Sequence, residues 1–475
     1  MPPAPTVSAT TVARLLPDWR ASGASSRSLA DRIGLLLEDG RLVTGRRLPA
    51  ERVLAAELGI SRTTVSAAYA LLRERGLLVT VHGSGSVLAL GGPRAEEAAG
   101  RPGVTDLSNA VPPAWPELPE YVERAAARLP PLLTAIGLDY IGLAELRERI
   151  ADRYVQRGLP TTPGQIMVTT GAQHAIGLVL RSRLRRADRL LLDVPSYPHA
   201  IDAFREAGAR LVPVGMPGAR SDVDEWERLL RELRPELAYL MPDFHNPTGS
   251  SLTAGERRRL LTAAAASGTV LLVDETTAEL AIDDVERQPP LAALAVGSGA
   301  EVITVGSIGK TVWHGLRIGW IRADSRTIAE IAAARPSRDL GTPVLEQLVV
   351  SALLPDIDRV LADRAALLRG TRDAVVARIA AELPDWQVPV PPGGLCIWVT
   401  LPDARSSMLV PAAAAVGLRI TAGPRFGLDG AFERQLRIPI TRPADESVDA
   451  IGRLAEAWRT SASAVRREEA YAPVL

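Results

Sequence analysis

Apolar residues in the first sixty positions recur at helical spacing. Four apolar residues between Ser28 and Glu38 share one helical face, which predicts an amphipathic helix; they are Leu29, Ile33, Leu36 and Leu37. The short segment ERVLAAEL follows Pro49 and predicts a second helix, and Gly59 is typical of the turn that ends it.

A third helix is predicted to begin after Ser61, a residue type that commonly caps helix N-termini. Val65, Tyr69 and Leu72 then lie on one face of that helix and point inward. The segments LLVTV and SVLAL, joined by the turn HGSG, predict a β-hairpin. This order of elements predicts a winged helix-turn-helix over residues 10–90.

A different pattern runs from residue 107 to 462, where apolar strand-like runs alternate with helix-sized amphipathic segments. These runs are QIMVTT, RLLLDV, LAYLMP, TVLLVDE and EVITVGS. Such alternation predicts an α/β domain with a parallel sheet covered by helices on both faces. Residues 91–106 are rich in Gly, Pro, Ala and charge and predict a linker, and residues 463–475 predict a frayed tail.

Composition limits the class of protein. The chain has 475 residues, of which 47% are hydrophobic, and its 55 basic residues balance its 55 acidic ones. This balance argues against a protein that coats nucleic acid over its whole length. The first ninety residues nevertheless contain eleven arginines and seven acidic residues, so a small basic module remains possible.

Metal sites and membrane segments are not predicted. The chain has one cysteine, Cys396, which excludes a disulfide framework and a thiolate zinc cluster. Its five histidines are scattered without metal-binding spacing. No signal peptide and no run of about 18 apolar residues occurs, so we expect a cytoplasmic protein with no membrane partner.

Lysine usage is the most unusual feature of the composition. Lys310 is the only lysine, and the other 54 basic residues are arginines. Arginine can replace lysine as a surface charge but cannot form a Schiff base. Either Lys310 is a stray residue in an arginine-biased chain, or its amine has a chemical task, and its neighbours must decide.

The residues around Lys310 in the predicted fold suit pyridoxal 5'-phosphate. They follow the carboxyl ends of predicted strands, where open α/β sheets build their sites: Gly171, Ala172, Gln173, Tyr197, Asn246, Asp274, Ser307 and Arg317. A carboxylate can hold the pyridinium nitrogen, an aromatic ring can stack on the cofactor, and a helix N-terminus can bind its phosphate. Each residue alone also has a structural explanation, as a cap, core residue, turn or ion pair.

The start of the third helix carries the candidate DNA contacts. In a helix-turn-helix this end enters the major groove, and here it presents Ser61, Arg62, Thr63 and Thr64. Arg62 suits guanine edges or phosphate, and the hydroxyls suit phosphate. Arg52 lies at the start of the preceding helix. The alternative is a solvated charged face on a small helical domain.

The segment RLPAERVLAAELGISRTTVSAAYALLRERGLLVTVHGSGSVL resembles the GntR-type winged-helix domain over most of residues 26–90. The resemblance implies that Arg52 and Arg62 contact a double-stranded DNA operator. It also implies that His82 and Gly83, at the tip of the wing, enter the minor groove.

Residues 107–460 resemble the fold-type I aminotransferases. The resemblance implies that Lys310 forms the Schiff base, that Asp274 pairs with the pyridine nitrogen and that Asn246 bonds the ring hydroxyl. Ser307, Arg317 and the turn at 171–173 would hold the phosphate. Arg437, in RQLRIPI, matches the arginine that binds a substrate carboxylate.

A GntR-type domain joined to an aminotransferase-like domain is similar to the MocR, or GabR-like, regulators. This implies a homodimeric transcriptional regulator that senses pyridoxal 5'-phosphate, an amine or an amino acid. Thr276 stands where that family often has a tyrosine, so full transaminase turnover is not expected, although a half-reaction remains possible. Two alternatives are an active aminotransferase with a DNA-binding appendage and a cofactor-free dimerisation scaffold.

Overall fold

The computed structural model describes residues 6–16, 25–38, 41–42, 45–81, 85–89, 103–428 and 430–469. Its N-terminal part is a winged helix-turn-helix, as the hydrophobic pattern predicts. Its elements are α1 (Ala9–Leu15), α2 (Ser26–Glu38), α3 (Glu51–Leu58), α4 (Arg62–Glu74), β1 (Leu78–Val81) and β2 (Gly85–Leu88). The two strands pair antiparallel, with Leu78 opposite Leu88.

The inner faces of α2 and α4 form the core of this domain. Ile33, Val65 and Leu72 are fully buried, and the Tyr69 hydroxyl donates to the Pro49 carbonyl at 2.8 Å. Gly59 ends α3 with φ 63°, a left-handed conformation that favours glycine. Burial of each large apolar side chain contributes about 1.5–3 kcal/mol, which fixes α4 on its two neighbours.

An additional helix, α1, precedes the three helices that the sequence pattern predicts. Val12, in its middle, is fully buried in the same core. The Val7 amide donates to the Arg47 carbonyl at 2.9 Å, and Thr6 forms a parallel bridge with Arg47. Residues 6–16 are therefore an integral layer of the winged domain.

Replacing Val12 with aspartate should loosen the winged domain, because it places a carboxylate in an apolar core at a cost of several kcal/mol. We expect faster amide hydrogen exchange in α2–α4 of the full chain. Thr10→Asp is the matched control, because Thr10 lies on the exposed side of the same helix. Equal exchange in the two variants would mean that α1 contributes little to this core.

The large domain is built on a seven-stranded mixed sheet in the order β4-β10-β9-β8-β7-β5-β6. Its strands are β4 (Ile166–Thr169), β5 (Arg189–Val194), β6 (Arg210–Gly215), β7 (Leu237–Leu240), β8 (Val270–Asp274), β9 (Val302–Ser307) and β10 (Gly319–Arg322). The sequence pattern predicts parallel strands, but β10 runs antiparallel to both β4 and β9. The segment between β9 and β10 contains no helix that could cross the sheet, which parallel pairing would need.

The helices of this domain cover both faces of the sheet. The helices up to residue 353 are α5 (Leu118–Arg128), α6 (Ala144–Gln156), α7 (Ala172–Arg183), α8 (Pro198–Glu206), α9 (Val223–Leu233), α10 (Ala254–Ser267), α11 (Leu291–Leu294), α12 (Ser325–Ala334) and α13 (Val344–Leu353). Alternate residues of one strand enter different cores: Leu271 and Val273 pack on one face, and Leu272 packs on the other. This explains why the strands are continuous apolar runs in the sequence.

The C-terminal part of the chain forms a smaller subdomain beside the sheet. It contains α14 (Ile357–Glu382), β11 (Cys396–Thr400), α15 (Ser406–Ala415), β12 (Leu418–Arg419), β13 (Gln435–Pro439) and α16 (Ala444–Glu469). β11 and β13 pair antiparallel, whereas β12 pairs parallel with β3 (Thr105–Asp106). None of the described helices is long and apolar enough to span a bilayer.

The predicted linker and the predicted C-terminal tail both contain regular secondary structure where they are described. Of the predicted linker 91–106, residues 91–102 lie outside the described residues, while Thr105–Asp106 form β3. The predicted tail at 463–475 begins inside α16, which continues to Glu469. Both ends of the large domain thus enter its C-terminal subdomain.

Arg41, in the loop after α2, joins the winged domain to this subdomain. Its guanidinium donates to the Ser407 hydroxyl at 3.1 Å and pairs with the Glu433 carboxylate. Glu433 also accepts from the Ser407 amide at 2.9 Å. Glu433 lies just before β13, so a contact of the winged domain ends beside the strand that carries Arg437.

Candidate functional site

The ends of the sheet strands border a cavity with about 720 Å³ of empty space, part of it open to solvent. Eight of the residues predicted from the sequence line it: Ala172, Gln173, Tyr197, Asn246, Asp274, Ser307, Lys310 and Arg317. They come together because β7, β8 and β9 end at the same edge, while α7 and β10 begin there.

Lys310 lies in the turn between β9 and β10 and reaches into the cavity. Its Nζ donates to the carbonyl of Ala110 at 3.0 Å. Burial, together with the nearby Arg437 cation, lowers the pKa of Lys310 to about 8. A much larger fraction of this amine is therefore neutral, and so nucleophilic, at neutral pH than for an ordinary lysine.

Asp274, the last residue of β8, lines the cavity and is buried. Its carboxylate accepts from the Thr276 amide at 2.9 Å and from the Tyr239 hydroxyl at 2.8 Å. Burial raises the pKa of Asp274 although these hydrogen bonds oppose the shift. A cationic ring nitrogen at this carboxylate would compensate the desolvation that raises the pKa.

The N-terminus of α7, together with Ser307 and Arg317, forms a candidate anion-binding site at the cavity, here called the anion cradle. Gly171 precedes that helix with φ 84°, and a Cβ on it would lie 2.8 Å from Nη2 of Arg317. Only glycine lets the backbone approach the guanidinium so closely. Arg317 itself donates to the Thr170 carbonyl at 3.3 Å. Helix amides, the Ser307 hydroxyl and Arg317 together suit a phosphate group.

Tyr197 and Asn246 also line the cavity. Burial raises the pKa of Tyr197 to about 12, so the phenol stays neutral, and its ring packs edge-on against His199 at 5.5 Å. Asn246 follows β7, and its Oδ1 lies 3.8 Å from Sγ of Cys396. An aromatic wall and a side-chain amide are the partners that a pyridine ring with a hydroxyl requires.

Arg437, the candidate for a ligand carboxylate, lies in β13 and does not line the cavity directly. It is buried, donates to the Ser108 carbonyl and stacks on Phe426 at 4.9 Å. Its charge acts on Lys310, which places it near the cavity. Its free Nε atom has no hydrogen-bond partner.

Several cavity residues were not found by sequence reasoning. The wall also contains Ala110, Met241, Phe244, His245, Thr277, Gly309, His314 and Cys396, besides Thr276, which the sequence analysis had singled out. Burial lowers the pKa of His245 to about 3, so this ring is neutral. Only His314 had a sequence signal, because it stands between the lysine and the phosphate arginine.

A second cavity of about 540 Å³ adjoins the first, and Thr276 and Ser307 line both. The small Thr276 side chain thus forms part of the partition between them. The buried Glu275 carboxylate lines this second cavity and pairs with Arg157 at 2.9 Å. Within the described part of the chain, no group of three or more His, Cys, Asp or Glu residues is arranged to hold a metal ion.

The candidate DNA-binding surface lies at the start of α4. Arg62 is the first residue of that helix, and its side chain is 73% exposed. Ser61 caps the helix by accepting from the Thr64 amide at 3.1 Å, and its hydroxyl also bonds those of Thr63 and Thr64. Arg52 is exposed on the neighbouring α3. The predicted wing-tip residues His82 and Gly83 lie outside the described residues.

Comparison with known proteins assigns the winged domain and the large domain to two different families. Residues 117–454 match the family of class I and II aminotransferases, and residues 25–88 match the bacterial regulatory proteins of the gntR family. The chain is 32% identical to a 2-aminoadipate transaminase of Thermus thermophilus over 71% of this chain and 85% of the relative. It is 26% identical to the HTH-type transcriptional regulator YisV of Bacillus subtilis over 81% of this chain and 86% of that regulator.

The structure of the large domain has a similar counterpart in LysN, an α-aminoadipate aminotransferase from Thermus thermophilus. The TM-score is 0.71 at 29% identity, and the match covers 78% of this chain and 95% of LysN. That structure contains N-(5'-phosphopyridoxyl)-L-leucine.

Proposed function

This chain belongs to the class I and II aminotransferase family and joins that domain to a gntR-type DNA-binding domain, the combination of the MocR-like regulators; from this premise we propose that it regulates transcription in response to pyridoxal 5'-phosphate and an amine or amino acid. The observation that carries the proposal is the position of the only lysine. Lys310 shares one cavity with a buried carboxylate and an anion cradle.

The residues of the cavity match the parts of this cofactor. Arg317, Ser307 and the amides at the start of α7 would bind the phosphate, Asp274 would hold the ring nitrogen protonated, and Tyr197 would stack on the ring. Asn246 would bond the ring hydroxyl. When bound, the cofactor supplies an aldehyde for amines and an electron-withdrawing ring. The complex of LysN with a phosphopyridoxyl amino acid supports this assignment.

Thr276 favours sensing over turnover. Its amide bonds Asp274, and its short side chain cannot reach the ring hydroxyl as a tyrosine would. A phenol at that position would share its proton with the ring hydroxyl, so its absence removes one means of moving protons during transamination. The proposed role is therefore to bind an amine ligand and hold it.

An active aminotransferase is the second candidate, because the cavity is complete apart from Thr276 and the Thermus relative bears the name of a transaminase. A single-turnover experiment with amino acids distinguishes the two. Rapid conversion to the keto acid supports the enzyme, whereas a stable complex with the amine supports the sensor.

A path for the signal begins at Arg437. A carboxylate ligand that pairs with this guanidinium would pull on β13, and the neighbouring Glu433 contacts Arg41 of the winged domain. A ligand alters DNA binding only when it favours one arrangement of the two domains over another. The Arg41–Glu433 pair offers a contact whose strength depends on that arrangement.

The proposal is tested by titrating operator DNA at fixed salt with apo, holo and amine-treated protein. The variant Glu433→Gln weakens the contact with Arg41, while Glu446→Gln, on an exposed pair with Arg442, is the matched control. We expect the amine to change operator affinity or bend angle in the wild type and control, and less in Glu433→Gln. The same affinity and bend angle in the apo, holo and amine-treated forms would contradict sensing.

Cofactor capture should accelerate with rising pH and reach half its maximal rate near pH 8. The neutral amine is the nucleophile, so the lowered pKa of Lys310 moves this midpoint below that of an ordinary lysine. Removing the Arg437 charge in Arg437→Gln should move the midpoint to higher pH. Stopped-flow absorbance measures the rate, Arg338→Gln on the surface is the control, and a wild-type midpoint near pH 10 would contradict the assignment.

We also propose a homodimer, supported by exposed apolar residues on the large domain. Leu133 and Ile136 are 70% and 87% exposed. Neighbouring apolar side chains that are this exposed favour an interface with another protein chain. We expect a mass of twice the 50.6 kDa chain by sedimentation at micromolar concentration. The double variant Leu133→Asp/Ile136→Asp should be monomeric, and Val296→Asp, at a site 73% exposed elsewhere, should not. A wild-type monomer would contradict the proposal.

A further inference from the structure

His314 lies on the phosphate side of the cofactor cavity and has no role in the function proposed above. Its Nε2 is 2.9 Å from Nη1 of Arg317. A guanidinium can only donate, so Nε2 accepts this hydrogen bond. The proton of the neutral ring must then sit on Nδ1, which leaves an N–H donor for another partner.

The Nδ1 atom borders the space in which a phosphate would lie. A Cβ on Gly309 would be 3.3 Å from Nδ1 of His314 and also 3.3 Å from Oγ of Ser307. Both polar atoms therefore flank the room that this glycine leaves open. All three residues line the cavity, and Ser307 is one of the proposed phosphate ligands.

The charged groups that face His314 are cations. His314 keeps an exposed surface, but partial burial of its ring lowers its pKa to about 4, and the positive charges of Lys310 and Arg317 add to the shift. On the α7 side of Arg317 the next titratable group is His174, whose Nε2 pairs with Asp339 at 3.0 Å. The ring of His314 is thus neutral at neutral pH, in a place built to receive negative charge.

We propose that His314 is a further phosphate-binding residue that takes up a proton from solvent when a phosphate dianion enters the cradle. This inference rests on the proposed function, because the phosphate is that of the cofactor. The dianion attracts a proton to the ring and offsets the repulsion from the two cations. The protonated Nε2 can no longer accept from Arg317, so the guanidinium is released to turn both of its nitrogens toward the phosphate.

Coupled proton uptake gives cofactor affinity a defined pH dependence. A group whose pKa rises on binding strengthens binding as pH falls below its bound-state value, and the gain is complete below its unbound value, here about 4. One charge-assisted hydrogen bond changes affinity by about ten-fold. The cofactor phosphate itself titrates near pH 6, so the contribution of the histidine must be read as a difference between variants.

The experiment measures the dissociation constant of pyridoxal 5'-phosphate between pH 5.5 and 8.5 for the wild type, His314→Asn and His314→Gln. Asparagine can replace the Nδ1–H donor and glutamine can replace the Nε2 acceptor, but neither can gain charge. Arg338→Gln is the control, since that arginine is exposed and does not line the cavity. Calorimetry at pH 6.5 in two buffers of different ionisation enthalpy counts the protons taken up.

We expect the wild type and the control to bind about ten-fold more tightly than both His314 variants at pH 5.5. At pH 8.5, where the ring is neutral, His314→Asn should bind as tightly as the wild type. The wild type and the control should both take up more protons at pH 6.5 than the His314 variants do. Pyridoxal, which lacks the phosphate, should bind all four proteins with the same pH profile. Identical pH profiles and proton counts with pyridoxal 5'-phosphate would overturn the role of His314. Failure of the wild type to form a cofactor band at any pH would instead overturn the proposed function.

Discussion

Lys310→Ala is expected to abolish covalent attachment of pyridoxal 5'-phosphate and the visible absorbance that accompanies it. Lys310 is the only lysine of the chain, and its amine lies in the cavity with a pKa lowered to about 8. No other side chain can replace it, because arginine does not form a Schiff base. Borohydride reduction followed by mass spectrometry should add one cofactor to the peptide containing Lys310 in the wild type and none in the variant.

Lys310→Arg is the matched control for charge, since it retains a cation at this position without a reactive amine. It should lose the absorbance band just as Lys310→Ala does. Both variants should keep the fold, because the Lys310 side chain donates a single hydrogen bond, to the Ala110 carbonyl. A normal band in either variant would exclude Lys310 as the point of attachment.

Arg62→Ala should weaken operator binding by about ten-fold or more, the size of a lost arginine contact to a guanine edge at 1–3 kcal/mol. The Arg62 side chain is 73% exposed at the start of α4, and its Nε lies 3.7 Å from Glu51, a pair weak enough to yield to DNA. Titration of operator and non-operator DNA at one salt concentration measures both the affinity and the specificity.

Arg75→Ala is the control for this change. Arg75 follows the opposite end of α4 and pairs with Asp31 at 2.6 Å, so its loss removes one positive charge from the same domain without touching the N-terminus of the helix. Equal losses of affinity in the two variants would mean that Arg62 acts only through net charge. No loss in Arg62→Ala would exclude this face of α4 as the DNA-binding surface.

The elements with strong hydrophobic periodicity are those that the sequence predicts well. The buried strands β4, β5, β7, β8 and β9 coincide with the five apolar runs, because both faces of each strand pack in a core. β10 was missed because its segment GWIR is short and contains an arginine. The two-residue pair of β3 and β12 has no local signal, since its partners are more than 300 residues apart in the chain.

Some residues of the candidate site could likewise be predicted from sequence, and others could not. Residues such as Asp274, Ser307 and Asn246 could be placed together from sequence because Asp274 and Ser307 stand at the ends of predicted strands and Asn246 lies in the turn that follows one. Cys396 could not, because it lies in β11 and reaches the cavity only through the packing of the C-terminal subdomain, where Gly393 also approaches the Phe244 ring: a Cβ on Gly393 would lie 2.3 Å from it. The roles of all these residues remain predictions.

Because Lys310 is the only lysine, reagents specific for lysine act on a single side chain of this chain. A protease that cuts only after lysine would divide the unfolded polypeptide once, between Lys310 and Thr311, into two fragments of unequal length. A pyridoxal 5'-phosphate reduced onto Lys310, as proposed, would block that cut, so the uncut fraction on a gel would equal the fraction of molecules that carried the cofactor. Acylating reagents aimed at lysine would likewise modify this one side chain and the N-terminal amine. The digestion pattern would thus measure the proposed occupancy of Lys310 by the cofactor.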